Sequence, residues 1–230
     1  MTSFKIFSRG VLEVLPLLIP VAPFGLIIGV IGVELGFSPI MVYATSLILF
    51  SGSAQIVFFQ LISGGASPIV TLTSVGVTNS RHLLYGAVLS EYMEQLSTTW
   101  KIFLSYFLVD QSFALSNKFF KENKSLKNKH YYLFGSGFTL WFVWQISSLI
   151  GIFLGSIVPE KLGLTFAIPL TFLSLIIQDF KKFDHLIVII VSATLAIIFY
   201  EIPYKAYIIT ASLGALTAAL IITNINSKKK

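Results

Sequence analysis

The chain has 230 residues, of which 55% are hydrophobic and 11% are charged. Soluble domains carry roughly 25% charged residues, so this composition excludes a soluble globular protein. The formal net charge of +6 comes from short basic segments between long apolar stretches, which argues against a nucleic-acid-binding surface. The sequence therefore predicts an all-α protein, a polytopic transmembrane helix bundle forming a single integral membrane domain over residues 1–230.

Apolar windows of the chain predict eight membrane spans. Lys5 and Arg9 precede the first of them, but no small-residue cleavage site follows. This span is therefore expected to be retained rather than removed as a signal peptide. The spans lie near residues 12–33, 40–62, 67–90, 100–118, 131–157, 163–179, 185–200 and 205–224.

The basic residues are distributed unevenly between the predicted loops. With a cytoplasmic N-terminus, twelve of the sixteen Lys and Arg residues lie inside, Arg81 lies in a span, and Lys101, Lys161 and Lys205 lie outside. The positive-inside rule then predicts that both termini and the basic loop 118–130 are cytoplasmic. Seven spans would place one basic terminus outside, so that count is disfavoured unless one segment is re-entrant.

The first predicted span contains Pro16, Pro20 and Pro23. Each internal proline removes a helical hydrogen bond and crowds the preceding turn, so a continuous straight helix is not expected. Two interpretations remain open: a simple kink, or a discontinuous helix that lines a solute site.

The second span carries the run Ser51, Gly52, Ser53, Ala54, Gln55 at its midpoint. Small residues allow a close helix crossing, which would explain most of the run. The amide of Gln55 needs hydrogen-bond partners at that depth. If the helix opens at 51–53, the second half would present free backbone amides to an anionic group.

The third span is interrupted by Asn79, Arg81 and His82, and the fourth contains Asp110. A guanidinium at membrane depth costs at least ~2.5 kcal/mol on insertion scales, so it must face a cavity or a counter-charge. One hypothesis is a structural ion pair between Arg81 and Asp110. The other is that Arg81 binds a solute carboxylate, while Asp110 or His82 exchanges protons during transport.

The remaining sequence gives no sign of enzymatic chemistry. It contains no nucleotide-binding loop, no metal-binding cluster, no Ser, His and Asp triad, and no cysteine. We therefore predict no enzymatic activity, no cofactor and no metal site.

Together these residues resemble the AzlC family, the large subunits of branched-chain amino acid exporters. The order and spacing agree over about residues 10–120, and beyond them only hydropathy and length agree. The residues that carry the resemblance are Pro23, Phe24, Gly25, Ser51, Gly52, Ser53, Ala54, Gln55, Asn79, Arg81, His82, Leu84, Tyr85, Gly86, Asp110, Phe113 and Ala114.

The resemblance implies ion-gradient-driven export of valine, leucine, isoleucine and methionine across a bacterial inner membrane. It also implies a separately encoded small membrane partner of the AzlD type. The expected proton-coupling residues are Asp110 and His82. The expected substrate-binding residues are Phe24, Gly25, Ser51, Gly52, Ser53, Gln55, Asn79, Arg81 and His82.

Two other functions remain open at this stage. The chain could be a passive channel or an uptake system for another small solute, in which case flux would persist without a proton gradient. It could also be a structural subunit of a membrane complex that transports nothing itself. Substitution of Gln55 or Arg81 would then leave the activity of that complex intact.

Overall fold

The structure is a computed structural model that describes residues 2–123, 126–155, 183–202 and 207–227. Within these ranges the regular structure is entirely helical, which confirms the all-α part of the predicted fold class. The helices are α1 (Ser3–Val14), α2 (Leu18–Glu34), α3 (Pro39–Leu49), α4 (Gly52–Ser63), α5 (Pro68–Ser90), α6 (Thr98–Tyr106), α7 (Asp110–Glu122), α8 (His130–Gly155), α9 (Phe183–Ile198) and α10 (Tyr207–Ser227).

Two stretches are long and apolar enough to cross a membrane, Ser3–Glu34 and His130–Gly155, in the part of the chain that the structure describes. Shorter apolar helices lie at Pro39–Leu49, Gly52–Ser63, Phe183–Ile198 and Thr210–Asn226. The predicted span 163–179 lies outside the described residues, as does the start of the span at 205–224. The count of eight spans therefore stays a prediction.

The chain divides into two compact units. The first comprises Met1–Gln55 and Thr78–Val158, and the second comprises Ile56–Val77 and Pro159–Lys230. In the second unit α9 packs against α10, and the Asn226 amide donates a hydrogen bond of 2.8 Å to Asp184. The first unit contains the polar residues singled out above.

The first predicted span is kinked rather than discontinuous, since the chain keeps right-handed helical dihedral angles from Val14 to Leu18. A 3₁₀ turn at Leu15–Leu17 contains Pro16 and separates α1 from α2, while Pro23 lies inside α2. The helical region begins at Ser3, earlier than the predicted start at residue 12. The proline-induced kink therefore falls in the first half of the span.

Helix α8 runs parallel to α1 and α2, and glycines bring the backbones into contact. A Cβ added to Gly29 would lie 2.3 Å from the carbonyl oxygen of Ser148. A Cβ added to Gly151 would lie 2.0 Å from the carbonyl oxygen of Leu26. Because no side chain fits at these crossings, the glycines set the distance between α2 and α8.

The predicted span 100–118 is two helices rather than one. Trp100 of α6 packs on His130 with ring centroids 5.1 Å apart, and Phe119 of α7 stacks on Tyr132 at 4.0 Å. Both outer ends of this helix pair therefore lie beside the start of α8. The turn between the helices contacts α8 further along, where the backbone of Phe107 lies against Gly137. The segment is a helical hairpin.

The basic connection is shorter than predicted. Helix α7 continues to Glu122 and α8 begins at His130, so Lys118 and Lys121 lie on a helix rather than in the loop 118–130. Beyond α7, the Lys129 ammonium lies over the ring of Tyr92, 4.7 Å from its centroid, and burial lowers the pKa of Lys129.

An apolar cluster lies at the end of the first unit that carries the N-terminus and the α7–α8 connection. We call this the basic end. The cluster contains Ile6 of α1, Leu89 of α5, Leu104 of α6, Phe120 of α7 and Tyr132 of α8. The α5–α6 connection therefore lies at the same end as the N-terminus and the α7–α8 connection. The sequence interpretation put Lys101 on the opposite face, and the hairpin explains the difference.

We predict that Gly29→Ala destabilises the protein by about 2 kcal/mol or more, because its methyl group would overlap the α8 backbone. Thermal unfolding of the purified protein in detergent measures this. Gly76→Ala is the matched control, since a Cβ there meets no atom within 4 Å. Equal melting temperatures for the two variants would contradict the close crossing of α2 and α8.

The hairpin also predicts a membrane topology that differs from eight simple crossings. The chain has no cysteine, so single cysteines can be introduced without further changes. We expect Thr99→Cys and Asn128→Cys to react with an impermeant maleimide from the same face of oriented vesicles. Ser38→Cys, before α3, should react from the other face. Labelling of residues 99 and 128 from opposite faces would refute the hairpin.

Candidate functional site

The first helix break lies between α3 and α4. Phe50 adopts φ 37° and ψ 44°, a left-handed conformation that is unusual for a bulky residue and costs on the order of 1–3 kcal/mol. Its ring is buried and packs near Tyr106 and Trp144, with centroids 5.8 and 6.5 Å away. The helix resumes at Gly52, where the first backbone amides have no intrahelical acceptor.

The second break lies between α6 and α7. The Ser112 hydroxyl accepts a hydrogen bond of 2.9 Å from the Val109 amide and donates one of 2.7 Å to the Phe107 carbonyl. This hydroxyl satisfies backbone groups that the break leaves open. Asp110 is the first residue of α7, so its carboxylate lies at the positive end of that helix.

Arg81 of α5 connects the two breaks. One guanidinium nitrogen lies 3.0 Å from a carboxylate oxygen of Asp110, and another donates a hydrogen bond of 2.9 Å to the Ser53 hydroxyl. The ion pair expected as one hypothesis is therefore present. The side chains of Arg81 and Asp110 are 39% and 43% exposed, so this pair is not enclosed in dry packing.

Gln55 is fully buried one turn into α4. Its amide nitrogen donates hydrogen bonds to the hydroxyls of Ser46 and Thr45, at 2.9 and 3.3 Å. Residues nine and ten positions apart in the chain are thus side by side, so the chain reverses at Phe50. These bonds fix the amide and leave its oxygen without a partner.

Several other buried polar atoms around the breaks also have no hydrogen-bond partner in the described structure. An unsatisfied buried donor or acceptor costs about 1–3 kcal/mol, so such a group is normally paired with protein or water. The concentration of donors and acceptors here fits a polar solute or water. The atoms are Ser51 Oγ, Arg81 Nε, Trp144 Nε1 and Gln145 Oε1.

Aromatic rings form an apolar wall beside these polar atoms. The ring of Phe24 contacts Trp144 edge-on, with centroids 5.7 Å apart. A Cβ on Gly52 would lie 2.3 Å from the Phe24 ring and 2.8 Å from Trp144. Gly52 therefore allows the start of α4 to approach both rings.

The structure thus brings Phe24, Ser51, Gly52, Ser53, Gln55, Arg81 and Asp110 together around the two breaks. Gly25 instead packs on α8, where an added Cβ would lie 3.0 Å from Ser147. Asn79 is half-buried, and the His82 ring lies edge-on to Tyr85 at 5.7 Å.

Sequence reasoning missed three aromatic residues of the site. Tyr85 donates a hydrogen bond of 2.8 Å to Asp110, and its position one helical turn after Arg81 was an available signal. Tyr106 donates to the carbonyl of Leu47 and accepts from Trp141 Nε1 at 2.8 Å. Trp144 carries a buried indole N–H without a partner. For Tyr106 and Trp144, the only sequence signal was their position within a predicted membrane span.

Comparison with known proteins identifies a family. The family model described as AzlC protein matches residues 16–158, which include both helix breaks and Arg81. This match covers more than half of the chain and confirms the resemblance noted from the sequence. No solved structure matches the chain.

Among curated proteins, the chain is similar to several membrane proteins. It is 27% identical to the inner membrane protein YgaZ of Escherichia coli (strain K12), over 93% of this chain and 90% of that protein. It is 26% identical to the branched-chain amino acid transport protein AzlC of Bacillus subtilis (strain 168), over 69% and 61%. It is 23% identical to an uncharacterized membrane protein of Archaeoglobus fulgidus, over 96% and 94%.

The Arg81 and Asp110 charges should be energetically coupled. Removal of one charge leaves the other unpaired, so Arg81→Gln and Asp110→Asn should each lower stability, while the double variant should lose less than their sum. We expect a coupling energy of about 0.5–1 kcal/mol, measured by thermal unfolding in detergent. Lys127→Gln, which removes an exposed charge, is the control. Additive effects of the two substitutions would refute the coupling.

Proposed function

Because this chain belongs to the AzlC protein family, we propose that it is a secondary transporter that exports branched-chain amino acids. Valine, leucine and isoleucine are the proposed substrates, with methionine as a further one, and an ion gradient across a bacterial inner membrane drives their export. The printed name of the Bacillus subtilis relative supports the substrate class. The names of the other relatives support a membrane location.

The observation that carries this proposal is the group of unpaired polar atoms between the two helix breaks. It includes donors, the Arg81 Nε and the Trp144 N–H, and acceptors, the Gln55 and Gln145 carbonyl oxygens. An amino acid supplies the complement of both kinds, because it is a zwitterion. Broken helices whose termini face a polar solute are a common arrangement in secondary transporters.

Each part of the substrate has candidate partners. The carboxylate can accept from the free amides at the start of α4 and from Arg81 Nε. The ammonium group can donate to the Gln55 oxygen or to Asp110. The aliphatic side chain can pack against the rings of Phe24, Phe50 and Trp144, which lie beside these polar groups.

Proton coupling is proposed for Asp110, with His82 as the second candidate. In an exporter driven by an inward proton gradient, the proton and the amino acid must bind alternately. An ionised Asp110 can bind the substrate ammonium, whereas a protonated Asp110 cannot. Competition at one carboxylate therefore gives the required alternation.

A small membrane partner of the AzlD type completes the proposal. The resemblance supplies this element, and reconstitution can test it directly. Transport by the chain alone would show that the partner is dispensable, whereas transport that requires both chains would establish the complex as the functional unit.

We predict that purified protein in liposomes, with the partner present, catalyses counterflow of labelled leucine and that an imposed pH gradient changes the rate. Gln55→Ala should lower this counterflow by about tenfold or more, because a hydrogen bond to a charged group contributes about 1.5–3 kcal/mol. The substitution removes the proposed acceptor for the substrate ammonium.

Gln60→Ala is the matched control, since it makes the same change further along α4 at a partly exposed side chain. Its counterflow should equal that of the wild type. Leucine flux that persists without any gradient and is insensitive to Gln55→Ala would favour a passive channel. Absence of leucine counterflow in the complete complex would overturn the proposed substrate.

A further inference from the structure

A cavity of about 250 Å³ lies between the end of α5, helix α6 and the start of α8. Arg81, Gln55 and Asp110 do not line it, and of the residues in the two helix breaks it touches only Leu108. Its floor is apolar and consists of side chains that are at most 9% exposed. They are Leu89, Met93, Leu104, Leu108 and Leu133.

The rim of the same cavity is polar and carries both signs of charge. It includes Ser90, Glu94, Lys101 and Ser105, all exposed. The Lys101 ammonium donates a hydrogen bond of 3.1 Å to the main-chain oxygen of Glu94. Among the described residues, the two side chains form no ion pair with each other, so both charges remain available to a ligand.

This combination matches the chemistry of an aliphatic amino acid. The ammonium group of the ligand would pair with Glu94, its carboxylate with Lys101, and its side chain would fill the leucine-lined floor. A space of about 250 Å³ suits one small amino acid.

The cavity lies at the basic end, because Leu89, Leu104 and Leu133 belong to the cluster that gathers there. The positive-inside rule predicts that this end is cytoplasmic. An exported solute would therefore meet the cavity before it reaches the helix breaks.

We propose that the cavity is a second amino-acid site, at which a branched-chain amino acid binds from the cytoplasm before it moves to Arg81. This inference rests on the proposed function, and it adds a site with its own residues. Glu94 and Lys101 hold the two charged groups of the ligand, and the apolar floor selects aliphatic side chains.

Thiol protection tests occupancy of the cavity in the full-length protein. Ser105→Cys places the only thiol of the chain on the rim. Leucine should slow its reaction with a small maleimide several-fold, whereas glycine, which lacks an aliphatic side chain, should not. Asn128→Cys at the same end but outside the cavity should react at an unchanged rate. With Glu94→Gln added, about threefold more leucine should be needed.

Equal protection by glycine, protection of Asn128→Cys, or no protection at Ser105→Cys would overturn the second site. Protection by leucine that Glu94→Gln and Lys101→Gln both leave unchanged would also overturn it, because the charged rim would then have no role. If a lipid acyl chain fills the cavity instead, leucine should give either no protection or protection that does not depend on Glu94 and Lys101.

Filling the cavity supplies a transport readout. A Cβ on Gly86 meets no atom within 4 Å, so Gly86→Phe can fill the space, with Gly86→Ala as its control. We expect Gly86→Phe to raise the KM for leucine and leave the maximal rate unchanged. An unaltered KM would count against the site while leaving the proposed export intact. Leucine protection of Ser105→Cys without leucine transport would support the site and refute the exporter.

Discussion

A guanidinium within an apolar helix bundle needs polar partners, and Arg81 finds them on two different broken segments. It pairs with Asp110 at the start of α7 and donates to Ser53 at the start of α4. Neither break could be stable in apolar surroundings without such contacts. The two breaks and Arg81 therefore depend on one another. Each break exposes polar groups at a helix start, and the guanidinium of Arg81 binds a side chain at both starts.

Helix α8 provides the frame on which the two breaks meet. From the basic end, the α6–α7 hairpin extends along α8 to about Gly137. Helix α3 approaches along the other half, where the Gln145 amide donates to the carbonyl of Ser46 at 3.1 Å. Tyr106 ties the two segments together through the carbonyl of Leu47. The α6–α7 hairpin and helix α3 each pack along only part of α8. The turn of the hairpin and the end of α3 therefore lie beside one another.

Polar side chains play different parts in two regions of the first unit. At the basic end, Glu13 accepts from Arg9 at 2.6 Å and from Tyr132, so the carboxylate joins α1 to α8. Around the breaks, donors and acceptors remain open and two charged side chains are partly exposed. The Glu13 contacts thus connect two helices, whereas the groups around the breaks leave donors and acceptors near the middle of α8 without protein partners.

The sequence alone determined the helical membrane class, the bounds of α5 and α8 to within a few residues, and which polar side chains lie within apolar segments, because hydropathy and residue type are local properties. It did not determine that the segment 100–118 reverses direction. That reversal depends on the contact of Phe107 with Gly137 and on the Ser112 hydroxyl, which satisfies the turn. The meeting of Arg81 with Ser53, 28 positions earlier in the chain, likewise follows from tertiary packing. A hydropathy window measures how apolar a segment is, whereas its path through the bundle depends on distant residues that only folding brings together.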